Sequence, residues 1–283
     1  MTLLCAVASL AAVRPRQRPK PPARPAAPTA PRPSPVLHGP TDEPPIDPQP
    51  ISQAGLVGWW RGDGNADDDT KTNPGATTGG VTYAPAMVGR GFRFTGRDDA
   101  VRVADSPTLA LTGSMTISAW INVDEFSTAG EDKGMILFRG DDRPGLDPYG
   151  LWVGADNRVT FHIESTERAE NLSAPIAGRR FVLVTAMLDA STSTMRIYEN
   201  TVLVAQMRTP VRPFADLDPG QHSGIGIGNC NSVPDTGYRY PFHGVINDLR
   251  LYRRLLAPAE LHALYAQALS VPSPLPADQS PTR

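Results

Sequence analysis

Gly244-Val245-Ile246-Asn247-Asp248-Leu249-Arg250-Leu251-Tyr252, followed by Arg253-Arg254-Leu255-Leu256-Ala257-Pro258-Ala259-Glu260-Leu261, carries the clearest structural signal in this chain. Apolar and polar residues alternate through the first segment, the period of a half-buried strand. Pro258 suits the first position of a helix, where no backbone N–H is needed. Glu260 in the first turn is favoured by the helix dipole. Leu261, Leu264, Tyr265 and Ala268 recur at helical spacing. A helix over 258–268 is therefore predicted to lay its apolar stripe on a sheet.

Upstream of this segment, period-2 alternation recurs between turn residues. In Met115–Val123, Met115, Ile117, Ala119, Ile121 and Val123 share one face, and Thr116, Ser118, Trp120 and Asn122 share the other. Further strands are predicted at 55–60, 92–95, 101–103, 135–139, 150–154, 158–164, 181–188, 195–199, 202–206 and 223–228. Phe181–Leu188 is apolar on both faces, which places it centrally and covered on both sides. About a dozen short strands with almost no helix indicate an all-β, antiparallel jelly-roll sandwich with one short C-terminal helix.

The 283 residues suit one large domain or two small ones, and a net charge of −2 gives no global attraction to nucleic acid. About 14 of the 30 prolines fall within residues 1–50. Four segments follow. Residues 1–13 are apolar, too short to span a bilayer, and resemble the core of an export signal without its positive start. Residues 14–54 form a Pro/Arg-rich linker that cannot bury enough apolar surface to fold, with a basic run suited to acidic cell-surface polymer. Residues 55–268 are the sandwich, and 269–283 a Pro-rich tail. Secretion or residence in the cell envelope is the expectation. Of the two cysteines, Cys230 reads as an inert thiol.

Five pieces in order, over about 210 residues, resemble the laminin-G-like domains of the concanavalin-A-like lectin/glucanase superfamily. They are Leu56–Ala66 with its Asp-Gly-Asn-Ala run, Gly96–Leu109, Met115–Val123, Val184–Asn200, and Gly244–Tyr252. Two positions depart from the family pattern. Thr201 stands where a turn glycine is usual; a β-branched residue resists positive φ, so a turn wider than two residues is expected. Asn247 stands where the final strand usually carries Asp. The resemblance implies a calcium ion where the first strand meets the last. It implicates Asp63, Asn247 and Asp248, with weak affinity because Asn supplies a carbonyl oxygen without charge.

The superfamily also contains glycosidases, whose paired carboxylates stand on one strand. No such run occurs here: Glu164 and Glu167 lie at or past a strand end, and Asp124, Glu125, Asp141 and Asp142 read as loop residues. The expectation is a non-enzymatic recognition module that binds a glycan or extracellular protein. Flat rings on an outer sheet face stack on sugars while polar neighbours fix the hydroxyls. Trp152 alternates out of the core, Trp120 lies on the polar face of its strand, and Tyr149, Tyr238 and Tyr240 read as loop residues. His162 joins them on a sheet surface. The alternatives are a glycoside hydrolase or lyase of the same superfamily and a structural domain of a surface assembly. Gly224–Gly228 is not followed by a helix and reads as a strand closely approached by other backbone rather than a nucleotide loop.

Overall fold

The computed structural model describes residues 51–126, 133–141, 143, 146–219, 222–233, 235, 237 and 239–270. An eight-stranded sheet contains β1 (Leu56–Trp60), β3 (Thr82–Pro85), β4 (Arg90–Phe94), β6 (Met115–Glu125), β11 (Phe181–Asp189), β12 (Thr194–Glu199), β13 (Val202–Arg208) and β15 (His243–Tyr252). A seven-stranded sheet contains β2 (Gly75–Thr78), β5 (Ala100–Ala104), β7 (Lys133–Gly140), β8 (Tyr149–Gly154), β9 (Arg158–Glu164), β10 (Ala169–Pro175) and β14 (Gly224–Ile227). The first runs β13-β12-β11-β6-β15-β4-β3, with β1 also paired to β15. The second runs β10-β9-β8-β7-β14-β5-β2. Every strand pair is antiparallel.

Alternation works as the sequence implied. Met115, Ile117, Ala119, Ile121 and Val123 of β6 meet Val182, Val184, Ala186 and Leu188 of β11 and Leu249 and Leu251 of β15 in the core between the sheets. Each such side chain contributes about 1.5–3 kcal/mol by leaving water. In β14 the glycines are required by close approach: a Cβ on Gly226 would lie 2.2 Å from the Asn229 carbonyl oxygen.

The outer face of the eight-stranded sheet is covered by α1 (Pro258–Ser270). Leu261, Leu264 and Ala268 pack on Leu183, Met187, Trp120 and Tyr252. This second layer explains why β11 is apolar on both faces. The Glu260 carboxylate accepts the Ala257 N–H (2.9 Å), satisfying a donor at the helix start, and is held by Arg254 at 2.7 Å through both oxygens.

Two boundaries differ from the sequence expectation. Arg254 donates to the Ala54 and Ser52 carbonyls, and Ile51 packs beside α1, so the ordered domain includes 51–54, which the sequence assigned to the linker. The helix runs on to Ser270. The export-like stretch 1–13, the basic linker up to residue 50 and the tail from 271 lie outside the described residues.

The β12–β13 turn is also a correction. It holds only Asn200 and Thr201, with Glu199 paired to Val202. Asn200 takes the positive φ of 54°, which asparagine tolerates, and Thr201 does not have to. The Asn200 side-chain oxygen further accepts the Leu183 N–H at 3.0 Å. A register shift at Ile197/Tyr198 takes up the remaining twist.

Trp120 is the anchor of the helix layer: 2% exposed, it stacks on Tyr265 with centroids 5.5 Å apart and a 23° interplanar angle. Trp120→Ala is expected to cost about 3–5 kcal/mol in urea unfolding, the usual price of emptying so large a buried site. A change below about 1 kcal/mol would show that the helix does not depend on this contact.

Candidate functional site

The implied calcium position is filled by the protein's own hydrogen bonds. Asn247 Oδ1 accepts the Val88 N–H at 3.0 Å. Its Nδ2 is surrounded by three backbone carbonyl oxygens, of Arg90 (2.8 Å), Val88 (3.0 Å) and Arg61 (3.1 Å). Carbonyl oxygens are calcium ligands, but here an amide N–H2 takes their lone pairs. Asp248 is engaged as well. Its Oδ1 accepts Trp59 Nε1 at 2.6 Å, and Arg250 pairs with the same carboxylate at 3.1 Å, both side chains being buried. The Arg250 guanidinium also lies 4.3 Å from the Trp59 ring. Asp63, half exposed, accepts the Arg90 N–H at 3.2 Å. These residues do not offer a calcium shell. The nearby acidic run is a built turn rather than a solvated one: buried Asp68 accepts from Trp59 N, Thr70 N and Oγ1, Thr72 N and Asn73 N. Among the described residues no three His, Cys, Asp or Glu side chains are grouped to hold a metal.

The aromatic candidates separate. Trp120 is a packing residue beneath α1. Tyr149 opens β8 instead of lying in a loop, and it faces the core with Leu151 and Val153. Its hydroxyl donates to the Leu109 carbonyl at 2.8 Å, and burial pushes its pKa far up. It is two-residue alternation that separates it from Trp152, since residues three apart on a strand face opposite ways. Tyr238 lies outside the described residues. Trp152, His162 and Tyr240 come together on the outer face of the seven-stranded sheet.

That face is assembled by register. Trp152 of β8 is paired with Thr160 of β9, and His162 with Asn171 of β10. The Trp152 and His162 rings are 5.3 Å apart. On β7, a register shift between Met135 and Leu137 lets Ile136 and Leu137 both enter the core and returns Phe138 to the outside. Met135, Phe138, Trp152 and Tyr240 form an apolar cluster there. Lys133, Asp147, Gly150, His162 and Asn171 complete a hollow of about 150 Å³.

Its polar groups are strongly coupled. His162 Nδ1 bonds Asn171 Oδ1 at 2.8 Å, and Nε2 lies 3.5 Å from Glu164 Oε2 without a hydrogen-bond partner. Burial lowers the His162 pKa and Lys133 adds to this, while Asn171 and Glu164 oppose it. In the neutral ring Nδ1–H donates to Asn171 Oδ1, and Nε2 faces the Glu164 carboxylate. Glu164 Oε2 also accepts the Asp147 N–H at 2.9 Å. Burial first, then Glu164, raises the half-buried Asp147 carboxyl from 3.8 to about 7, with Lys133 opposing. The Lys133 ammonium lies 4.5 Å from the Trp152 ring centre and 5.3 Å from that of Tyr240.

Trp152, His162 and Tyr240, singled out in the sequence, meet here with Lys133, Asp147, Glu164 and Asn171, which the sequence did not single out as ligand residues. Alternation in 158–164 does put His162 and Glu164 on one face, a signal that was available. The placement of Asp147 and Lys133 carries no local signature.

A second, open hollow of about 620 Å³ lies beside β5 and β7, lined among others by Asp105, Ser106, His222 and Ser223. Its floor is buried Arg139, which grips Asp105 through Nε (3.0 Å) and Nη2 (3.1 Å). No Trp, Tyr or Phe is among its described lining residues.

Residues 95–262 match a family model of laminin G type, described as the concanavalin A-like lectin/glucanases superfamily. The chain belongs to this superfamily. No curated protein matches it in sequence. Domain 4 of AbnA, a GH43 extracellular arabinanase from Geobacillus stearothermophilus, solved with arabinotriose, is 19% identical with a TM-score of 0.56, covering 74% of this chain and 98% of that one. The Trypanosoma rangeli sialidase in complex with 2,3-difluoro-KDN is 17% identical with a TM-score of 0.59, covering 80% of this chain and 36% of that one. A botulinum neurotoxin type C structure, from a description of cell entry dependent on two ganglioside molecules, is 16% identical with a TM-score of 0.58, covering 76% of this chain and 52% of that one. At these identities the likeness shows the superfamily's fold.

Two outcomes are expected. Melting of the protein should be the same in millimolar calcium and in chelator, and Asn247→Asp should lose about 1–3 kcal/mol because the two N–H groups shared among three carbonyls are replaced by a carboxylate oxygen. A calcium-dependent rise in wild type would overturn this account of Asn247. The second concerns Asp147. The folded protein keeps its proton up to about pH 7 while the unfolded chain releases it near 3.8. Stability therefore falls as pH rises across that window and levels off above it. Asp147→Asn removes the slope. Solvent screening keeps the gain on the order of 1 kcal/mol at pH about 8, or about 2–4 °C in melting temperature; parallel curves for the two proteins would refute it.

Proposed function

We propose that this protein is a non-enzymatic carbohydrate-binding module, exported or displayed at the cell surface, that engages glycans through the outer face of its seven-stranded sheet. The observation that carries the reading is the contrast between the two outer faces. One is sealed by α1. The other gathers Trp152 and Tyr240 with a ring of hydrogen-bonding side chains around a hollow, the composition with which proteins hold sugars. Two proteins of similar fold support it: the arabinanase domain was solved in complex with arabinotriose, and cell entry of the type C toxin depends on interaction with gangliosides. The apolar stretch Thr2–Val13 supports export.

One observation favours a second reading, hydrolysis. Asp147, with its raised pKa, stands beside Glu164, and carboxylates pushed apart in pKa are how glycosidases divide acid and base roles. The lining argues for binding. The hollow is about 150 Å³, and of the two carboxyls only Asp147 lines it, so no carboxylate pair faces a common substrate position there.

A glycan array probed with wild type and Trp152→Ala tests the proposal. Bound glycans should be found for wild type, and the variant should lose roughly 1–3 kcal/mol of affinity on them, as aromatic anchors do. No array ligand should be cleaved on long incubation. Reducing-end release that disappears in Asp147→Asn would establish the hydrolase reading instead. Absence of any glycan ligand would refute the module.

A further inference from the structure

The hollow beside Trp152 has the composition of a cation cage. Its walls are aromatic or polarizable: Trp152, Phe138 and Met135, with Tyr240 alongside. Aromatic faces carry negative electrostatic potential and attract ammonium groups, most strongly when water is excluded. Its polar side chains are mainly acceptors. Asp147 supplies a carboxylate to its lining, Glu164 stands behind it and accepts the Asp147 N–H, and the buried His162 ring closes one side. A neutral sugar hydroxyl could satisfy one acceptor. An ammonium can satisfy several at once and also offset the charge of the two carboxylates.

The protein already places a cation there. The ε-ammonium of Lys133 lies over both Trp152 and Tyr240 and within electrostatic reach of Asp147. It reaches in from the first residue of β7. An ammonium held by rings on a flexible four-carbon stem is displaceable. The hollow of about 150 Å³ has room for an ammonium-bearing group.

We propose that this hollow is a recognition site for an ammonium group carried by an amino sugar, and that Lys133 is its built-in competitor. The amino-sugar part rests on the carbohydrate reading above; the ammonium part does not. Displacement of Lys133 leaves a cage of rings and acceptors with net negative charge, and the incoming ammonium takes its place. Binding is also coupled to pH. Asp147 is faced by Glu164, His162 and Lys133, with Asp141 farther off and paired to Arg143. A bound cation favours the ionised carboxylate, so binding releases its proton and tightens as pH rises toward and through neutrality.

The test uses choline, a permanent cation, its uncharged isostere 3,3-dimethylbutanol, and the glucosamine and N-acetylglucosamine tetramers at a pH where the amines are protonated. Calorimetry is run on wild type, Lys133→Ala, Lys133→Met and Trp152→Leu, with folding checked by thermal melts. Wild type should bind choline weakly. Both Lys133 variants should bind choline and the glucosamine tetramer roughly tenfold more tightly, with no gain for the isostere or the acetylated tetramer. Trp152→Leu should lose choline binding while remaining folded. Choline binding to Lys133→Met should strengthen from pH about 5 to about 8. Equal binding of choline and its isostere, or no gain on removing Lys133, overturns the ammonium site even if the array finds neutral glycans. Choline binding without glucosamine-tetramer binding overturns the amino-sugar assignment while the cage stands. An array with no glycan ligand beside intact choline binding refutes the carbohydrate reading alone.

Discussion

The side-chain amide of Asn247 is the constraint on which the eight-stranded sheet depends. β15 sits in the interior of that sheet, between β6 and β4, with β1 paired to it as well. A late strand inserted among early ones must meet backbone from all of them. Asn247 does this with one planar group, accepting from Val88 and donating toward Arg61, Val88 and Arg90. A buried carbonyl without a donor is costly, and three lie here. Beside it, Asp248 adopts a positive φ of 53° and a register shift separates Asn247 from Arg250. The shift lets Ile246 and Leu249 both enter the core while Asn247, Asp248 and Arg250 share the outer side. The buried pair of Asp248 and Arg250, capped by Trp59, is satisfied by hydrogen bonds, the condition under which a buried ion pair is tolerated.

From that closure follows the inequality of the two outer faces. Once β15 is in place, the chain leaves it directly into α1, which has one sheet face within reach. Trp120, Leu183 and Met187 are apolar because they lie under it. The opposite sheet receives no helix among the described residues. Its outer face carries polar and aromatic groups, and the register of β7 to β10 collects them around Trp152. The same alternation therefore produces a packing residue at Trp120 and a site residue at Trp152. Each lies on the face of its strand that points away from the sandwich core. Only the destination of the helix tells them apart.

Within the hollow, the groups hold one another in strained electrostatic states. Asp147 keeps its proton near neutrality because it is buried from water and, secondly, because Glu164 stands beside it. Burial, helped by Lys133, lowers the His162 pKa against the opposing pull of Asn171 and Glu164. Lys133 reduces the imbalance from above the rings. Such an arrangement costs stability and is characteristic of functional sites. The helix-covered face has satisfied hydrocarbon contacts at the corresponding positions.

What the sequence by itself determined is everything that depends on local period. Alternation in Met115–Val123 and Phe181–Leu188 names the core face, and Leu261, Leu264 and Ala268 name the stripe of the helix. The order of motifs indicates the superfamily, and the outward direction of Trp152 follows from its neighbours. Tertiary structure alone decided which residues meet across strands. Asp147 and Lys133 become neighbours of His162 through register shifts and loop paths that have no period to read. Tyr149 is removed from the site by a strand that starts earlier than the turn residues suggested. Asn247 shows the same limit: its replacement of aspartate is visible in the sequence, but its donation into three carbonyls exists only where three separate segments converge. Local chemistry is encoded within a few residues of the chain, whereas convergence is a property of how distant segments pack.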